Sequence, residues 1–575
     1  MLFSEYAGFL ARLEATSSRL ALIDILVELF RGVAEGEVRP AVYLLQGRLT
    51  PVFEPVEVGM GDAYLADAVA RAYGGSRAEV LGRFDVLGDF GTVAKEFAEK
   101  SPVESSLSVT DVFNRLLAVA RASGPGSVAR KVALLADLLA ELEPLSAAYV
   151  GRVPTGRLRL GVGDPTVLDA FALARLGNKG YRRELERAYN ETSDLGLVGE
   201  TLWRDGLGGV ERLGLRVGNP VRPALAQRLP DAAAILEKLG PCAVEGKYDG
   251  FRCQVHKDGD LVRVFSRNLE EMTGAFPELV AGVLAQVRAD TAIFEGEALA
   301  YNPLSDEYLP FQETVKRRRK HGVEAASQAL PLRLFVFDVL WVDGENVTPL
   351  PYEGRRERLE ALVGPGEKVT VSPAEVVRTP EELSAFFDGA VQSGLEGVVA
   401  KRLDAPYRAG SRNYSWVKLK RVGGSSLGDT VDCVVVGYLY GRGKRASFGV
   451  GALLVAVYDP ERDLFVSISK ISTGLTDDEW RGVRSRCEPF VSPDRPARVE
   501  SGVVPSVWVE PVVVIEVLAD EVTRSPVHAA GRDASGRGYA LRFPRLVTFR
   551  DLDRRPEDAT TVGEIAELYR QQRPA

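Results

Sequence analysis

Cysteine is scarce and scattered: Cys242, Cys253, Cys433 and Cys487 are the only four in 575 residues, and no two form a C-x-x-C pair. This excludes a disulfide framework and argues against a zinc site. No run of 18 apolar residues occurs, so no membrane-spanning helix is expected. The opening MLFSEYAGFLARLE lacks a basic stretch followed by an apolar one, which points to a cytoplasmic protein without a leader or membrane contact. Methionine and histidine number three each, a sparing use of labile or costly residue types. An excess of positive charge is also missing, since the formal net charge is −8. That alone does not exclude a nucleic-acid partner, because binding depends on where the charges lie. Lys316, Arg317, Arg318, Arg319 and Lys320 stand in one basic run, which a solvated helix face would explain equally well. With 45% hydrophobic and 26% charged residues, the composition is that of a globular chain. At roughly 100–200 residues per domain, its length suggests three or four domains.

Hydrophobic periodicity divides the chain. Residues 1–219 read as mostly helical. LALIDILVELF places Leu20, Ile23, Leu26 and Phe30 on one face after a Thr16-Ser17-Ser18 cap signal, and KVALLADLLAEL repeats the pattern with Val132, Leu135, Leu138 and Leu139. GVGDPTVLDAFALARL predicts a helix capped by Asp164 with Pro165 at its first position. Gly161 and Gly163 there would admit a phosphate to the helix N-terminus, or simply make a tight turn. A Pro- and Gly-rich stretch near 217–222 reads as a linker. Residues 220–421 alternate strands and helices, with strands expected at 261–267, 292–301, 332–342 and 396–402. Val422-Gly423-Gly424-Ser425-Ser426 reads as a second boundary. Residues 422–575 are β-rich with glycine turns, as in a small barrel.

The stretch VEGKYDGFRCQVH (244–256) predicts a hairpin, because Asp249-Gly250 is a turn signal between two strand-like runs. Lys247 in that turn would ordinarily be solvated. Glu295 and Glu297 alternate on one strand face, and so do Lys418 and Lys420. Asp338 lies inside the apolar FVFDVL, where a charge is costly unless paired. Arg252, Arg267, Glu396 and Lys401 complete the set of candidates. Singly, each has a bland explanation.

Together they resemble a family. KYDGFR (247–252) is similar to the adenylation motif of the covalent nucleotidyltransferases: DNA ligases, RNA ligases and mRNA-capping enzymes. SRN (266–268), EGE (295–297), FVFD (335–338), EGVVAK (396–401) and WVKLK (416–420) follow in that family's order. LPFQETVKRRRKHG (309–322), GSRNYSWVKLK (410–420), LRFPRLVTFRD (541–551) and GRLRLGVGDPTVLDA (156–170) resemble the ATP-dependent DNA ligases of the archaeal and eukaryotic replicative type. The helical first third and RFPR set the chain apart from capping enzymes and RNA ligases. A catalytically silent DNA clamp on the same fold would bind DNA without forming an AMP adduct. One departure stands out. The family's C-terminal motif ends in Arg-x-Asp-Lys, whereas this chain reads Arg550-Asp551-Leu552-Asp553-Arg554-Arg555, with Arg554 as the candidate for the lysine's place.

The resemblance implies a multidomain α+β protein: a helical DNA-binding domain (1–219), a nucleotidyltransferase or adenylation domain (220–421) and a C-terminal oligonucleotide-binding β-barrel, or OB-fold, domain (422–575). It implies a ligase that seals nicks in duplex DNA in replication, repair and recombination, with ATP and Mg²⁺ (Mn²⁺ as alternative), acting as a monomer. A sliding-clamp partner is implied, although no docking motif is visible. Lys247 would be the nucleophile that carries AMP. Glu245, Arg252, Arg267, Glu297, Phe337, Arg412, Lys418, Lys420 and Arg542 would bind ATP, with Phe337 against adenine and Glu245 reading it by backbone or side chain. Arg545 would join Arg542 at the leaving pyrophosphate. Glu297 and Glu396 would hold the metal, and Lys316, Arg317, Arg318 and Arg319 the DNA. A lysine attacks only as a free amine, roughly one part in a thousand at neutral pH for a reference pKa near 10.4. Neighbouring cations favour that form and then stabilise phosphate charge.

Overall fold

The computed structural model describes every residue except 55, 157, 159, 303–307, 310–312, 315, 318–321, 421–429, 441–448, 473–474, 476, 551–552 and 573–575. Arg318, Arg319 and the expected boundary at 422–426 therefore lie outside the described residues. The chain divides into two compact units, Met1–Gly214 and Leu215–Ala575.

The first unit is helical, with twelve α-helices among the described residues. The helix Arg19–Gly32 begins where the cap signal stands, with Ser18 Oγ accepting from Ala21 N–H. Ile23, Leu26 and Phe30 are buried as expected, but Leu20, in the helix's first turn, is 73% exposed. The helix Asp164–Leu176 starts one residue earlier than predicted, with Gly163 as its N-cap. The Asp164 carboxylate accepts from Gln46 Nε2 (2.9 Å) and from the Tyr189 hydroxyl (2.5 Å).

The second unit begins before residue 220. Gly218 N–H donates to His256 Nδ1 (2.9 Å), and Arg263 donates to the Gly218 carbonyl (2.9 Å), so the linker is already part of this unit. Two sheets form its first part. One runs β1 (Leu225–Arg228), β11 (Arg412–Lys420), β10 (Gly397–Arg402), β2 (Cys242–Lys247), β9 (Ala374–Val377). The other runs β4 (Leu261–Ser266), β3 (Phe251–Asp258), β5 (Thr291–Ala300), β6 (Leu332–Val342), β7 (Glu345–Asn346), with β8 (Val369–Val371) also on β6. The first sheet packs its apolar face on the helices Ala232–Leu239 and Pro380–Gln392. The second packs on Pro277–Gln286 and Tyr352–Leu362.

The predicted hairpin does not form. β2 pairs with β9 and β10, whereas β3 pairs with β4 and β5, so Tyr248-Asp249-Gly250 carries the chain from one sheet to the other. Gly250 is needed for close approach: a Cβ there would lie 2.5 Å from the Ala298 carbonyl oxygen. The C-terminal part is β-rich. It centres on β12 (Thr430–Leu439), β13 (Ala452–Asp459), β14 (Leu464–Ile471) and β18 (Val514–Leu518) around a Val- and Ile-rich core.

Candidate nucleotide-transfer site

A pocket lies between the two sheets and the β-rich part, with about 1130 Å³ of free space including its mouth. Nine basic and six acidic side chains line it, an excess of positive charge suited to phosphate. Both sheets supply walls: Lys247, Lys401, Trp416, Lys418 and Lys420 from one, Arg252, Glu297 and Phe337 from the other. The crossing at 248–250 is what brings Lys247 and Arg252 to opposite walls.

Lys247 ends β2 and forms an ion pair with Glu396, which also pairs with Lys420. One glycine makes this possible. Gly397 is in register with Lys247 on β2 and with Lys420 on β11. It holds φ 152°, and a Cβ would lie 2.1 Å from the Leu419 carbonyl oxygen. Only glycine lets the three strands close so tightly that one carboxylate reaches both lysines. Burial works against an ionised Glu396, but Lys247 and Lys420 outweigh it and hold its pKa well below the ordinary carboxylate value. Burial, then Lys420, pushes Lys418 well below an ordinary lysine. Glu297 behaves oppositely: burial raises it to about 7, against the pull of Lys247 and Arg252.

The period-two reading of WVKLK holds, since Trp416, Lys418 and Lys420 share the pocket face. On β5 the two acids separate in role. Glu297 lines the pocket and makes no hydrogen bond or ion pair among the described residues. Glu295 is buried and holds Arg252 at 2.9 Å. The charge inside FVFDVL is paired as physics requires: Arg355 grips Asp338 through Nε (2.8 Å) and a terminal nitrogen (3.0 Å). Phe337 stands edge-on to Trp416, with ring centroids 5.9 Å apart, and both line the pocket. Glu245 is different. Its carboxylate is 2% exposed and taken by Lys401 Nζ (3.0 Å to both oxygens) and the Tyr352 hydroxyl (2.6 Å). This leaves the backbone, and not the side chain, to face a base.

The third wall comes from the β-rich part: Asp432, Arg550, Asp553, Arg554, Asp558 and Thr560. Arg267 pairs with Asp558 (3.6 Å), Arg412 pairs with Glu564 and donates to the Asp558 carbonyl (3.1 Å), and Arg550 lies 3.9 Å from Asp249.

Three family descriptions match consecutive parts of the chain: "DNA ligase N terminus" over residues 2–172, "ATP dependent DNA ligase domain" over 223–420 and "ATP dependent DNA ligase C terminal region" over 446–552. The "Probable DNA ligase" of Dictyoglomus thermophilum is 47% identical, covering 100% of this chain and 98% of its own. The chain belongs to the ATP-dependent DNA ligase family. "DNA ligase 2" of Thermofilum pendens (42%; 99% and 98%) and the "DNA ligase" of Aeropyrum pernix (40%; 100% and 98%) match as fully. The solved mycobacterial DNA ligase D complexed with ATP and MES aligns over 59% of this chain and 97% of its own, at 24% identity and a TM-score of 0.35. The expected architecture is present: a helical N-terminal region, a central adenylation domain and a β-rich C-terminal domain. So is the activity, ATP-driven joining of DNA strands.

Against the family expectations, three arginines fall elsewhere. Arg542, expected at ATP, is not among the pocket residues. It ends β20 (Gly538–Arg542), which pairs with β19 (Glu521–Ser525), and its cross-strand partner Glu521 takes the guanidinium at 3.1 Å. Arg545 is likewise held by Asp520 (2.7 Å). Arg317, expected on DNA, is completely buried and bonded to Glu278 (2.7 Å) and to the carbonyls of Ala275 and Leu330. Lys316 is exposed and paired with Glu313 at 2.5 Å. Arg554 does line the pocket, whereas Arg555 turns to Asp558 (3.0 Å). Lys401 was a candidate without an assigned role, whereas the pocket roles of Asp432, Arg550, Asp553 and Asp558, and the pairing of Glu564 with Arg412, were missed. Of these only Arg550 and Asp553, inside the C-terminal motif, had any sequence signal.

Proposed function

We propose that Lys247 attacks the α-phosphorus of ATP, forming a nitrogen–phosphorus bond to AMP as the α–β bridging oxygen leaves with pyrophosphate. The AMP then passes to the 5′-phosphate of a nick, freeing Lys247. The 3′-hydroxyl attacks that activated phosphate and loses its proton, and AMP departs. The observation that supports this reading is the junction of Lys247, Glu396 and Lys420 at a cation-rich pocket. Lys420 supplies positive charge where phosphate oxygens develop negative charge, and that negative charge would in turn draw a proton onto Lys418. Phe337 offers a face to adenine, and the Glu245 backbone its edge. Arg267 and Arg412 are paired with Asp558 and Glu564, so ATP phosphates compete with two carboxylates for the same guanidiniums, and the C-terminal wall has to shift as nucleotide and then DNA enter.

A divalent metal fits the donors present. Mg²⁺ usually takes one or two carboxylates and completes its shell with water and phosphate. Glu297, half-buried and without a hydrogen-bond or ion-pair partner among the described residues, and Glu396 are such a pair, and Mn²⁺ suits the same oxygens. Bound there, the metal would neutralise phosphate charge.

The DNA substrate is a nicked duplex, held through its phosphates without base reading, so affinity falls with salt. Lys316 and the helical unit are the proposed contacts. Monomeric action in the cytoplasm, with a sliding clamp as partner, completes the proposal. No helix among the described residues is long and apolar enough to cross a membrane. The test is incubation with labelled ATP or GTP, followed by nicked duplex. Label from ATP should appear on the protein and vanish as the nick closes; labelling by GTP alone would refute the reading.

A further inference from the structure

Behind Arg252 lies a set of buried polar side chains that the reaction scheme does not use. Glu295 (1% exposed) and Tyr407 (5% exposed) are outside the pocket lining, whereas Arg252 is in it. Glu295 Oε2 accepts from Arg252 (2.9 Å) and from the Tyr407 hydroxyl (2.8 Å), and Oε1 accepts from Gln254 Nε2 (3.2 Å). The same Tyr407 oxygen accepts from Ala224 N–H (2.9 Å), and Arg252 donates to the Ala224 carbonyl (2.8 Å). A phenol has one proton to donate, and here it goes to Glu295. The Tyr407 ring stands edge-on to Trp416 in the pocket wall, with centroids 5.9 Å apart.

This arrangement does two things for Arg252. It supplies a buried countercharge, without which the guanidinium would be driven from the pocket wall toward water. It also uses the guanidinium's terminal nitrogens on protein acceptors. Each terminal nitrogen gives one N–H in this way, and Arg252 Nε, buried, has no acceptor among the described residues, so three of the five guanidinium N–H groups remain for other acceptors such as a substrate oxygen.

We infer that Tyr407, acting through Glu295, is a positioning residue for Arg252, fixing its guanidinium where a substrate phosphate oxygen arrives. The inference rests on the reading of the pocket as a nucleotidyl-transfer site. Burial, then Glu295, raises the Tyr407 phenol well above its ordinary value, so it stays a donor throughout the working pH range.

The test measures the three steps separately, in single turnover, on the full chain. The variants are Tyr407→Phe, Arg252→Gln and the double variant, with Glu295→Gln as a second route that keeps size but removes the countercharge. Tyr407→Phe keeps the ring against Trp416. It should slow the same steps as Arg252→Gln, by about tenfold, the scale of one hydrogen bond to a charged group. The double variant should be no slower than Arg252→Gln alone, within about twofold, because both changes break one unit. Glu295→Gln should copy the step pattern of Arg252→Gln. Losses that multiply in the double variant, or Tyr407→Phe and Glu295→Gln slowing steps that Arg252→Gln spares, would overturn the inference. Formation of the Lys247–AMP adduct by the unaltered protein separates the two claims: without it the transfer reading fails, and with it an additive cycle removes only the positioning role.

Discussion

The helical unit and the pocket use charge in opposite ways. In the helical unit, pairs such as Arg12–Glu28 (2.7 Å) and Arg83–Glu96 (2.8 Å) lie in solvent, with side chains between a third and just over half exposed. Water already satisfies such groups, so pairing adds little. Around Lys247 the charges are withdrawn from water and crowded. Glu396 serves two lysines, Glu297 has no hydrogen-bond or ion-pair partner among the described residues, and burial holds Lys418 well below an ordinary lysine. Stability alone would not select that arrangement. Ionisable groups held far from their ordinary values are what phosphate chemistry requires.

This contrast can be tested from its sharpest point outward. Lys247→Ala should abolish the protein–AMP adduct while leaving affinity for nicked duplex within about twofold, as read by labelled ATP and a binding titration. Persistent adduct would move the nucleophile elsewhere. Glu297→Gln should lower adduct formation at least about a hundredfold and yet stabilise the fold. The sign follows from linkage. Glu297 is raised from 4.5 to about 7 in the folded state, so its favourable contribution is full below pH 4.5 and is lost as pH rises through 7. Glutamine never ionises. The variant should therefore match the parent near pH 4.5 and exceed it above pH 7, by up to about 3 kcal/mol at 1.36 kcal/mol per pKa unit. Denaturant titrations at pH 5 and pH 8 measure the gap, and a variant weaker at pH 8 would contradict the half-buried, unpaired carboxyl.

Arg355→Ala should break a charge pair that is buried for structure and not for chemistry. Leaving Asp338 unpaired in the strand should cost about 3–5 kcal/mol of stability. Arg83→Ala, in the solvated set, should keep the melting temperature within about 1 °C. If Arg83→Ala matched Arg355→Ala, the contrast between exposed and withdrawn charge would collapse.

Much of the site was legible in the sequence because its chemistry sits on short periodic segments. WVKLK puts its lysines on one face by strand alternation alone, and FVFD announces a paired aspartate because apolar flanks force burial. The chain order of these segments identified the family. Legibility failed where exposure depends on distant residues. Arg317 reads as a surface cation, but Glu278 and three carbonyls reach it from other elements. Arg542 reads as a nucleotide contact, but its register opposite Glu521 holds it on the strand ribbon. Asp558 and Glu564 carry no local mark of their pairing with Arg267 and Arg412.

By itself the sequence determined the helical character of the first third, the strand faces, the candidate nucleophile and most of its basic and acidic company. Side-chain period and residue chemistry are local properties. Tertiary structure alone decided that Asp249-Gly250 spans two sheets instead of turning a hairpin, that Gly397 brings Glu396 to both Lys247 and Lys420, and that a third wall of arginines and carboxylates closes the pocket. Strand partnership and the burial of charge are set by contacts between residues far apart in the chain, and no local pattern encodes them.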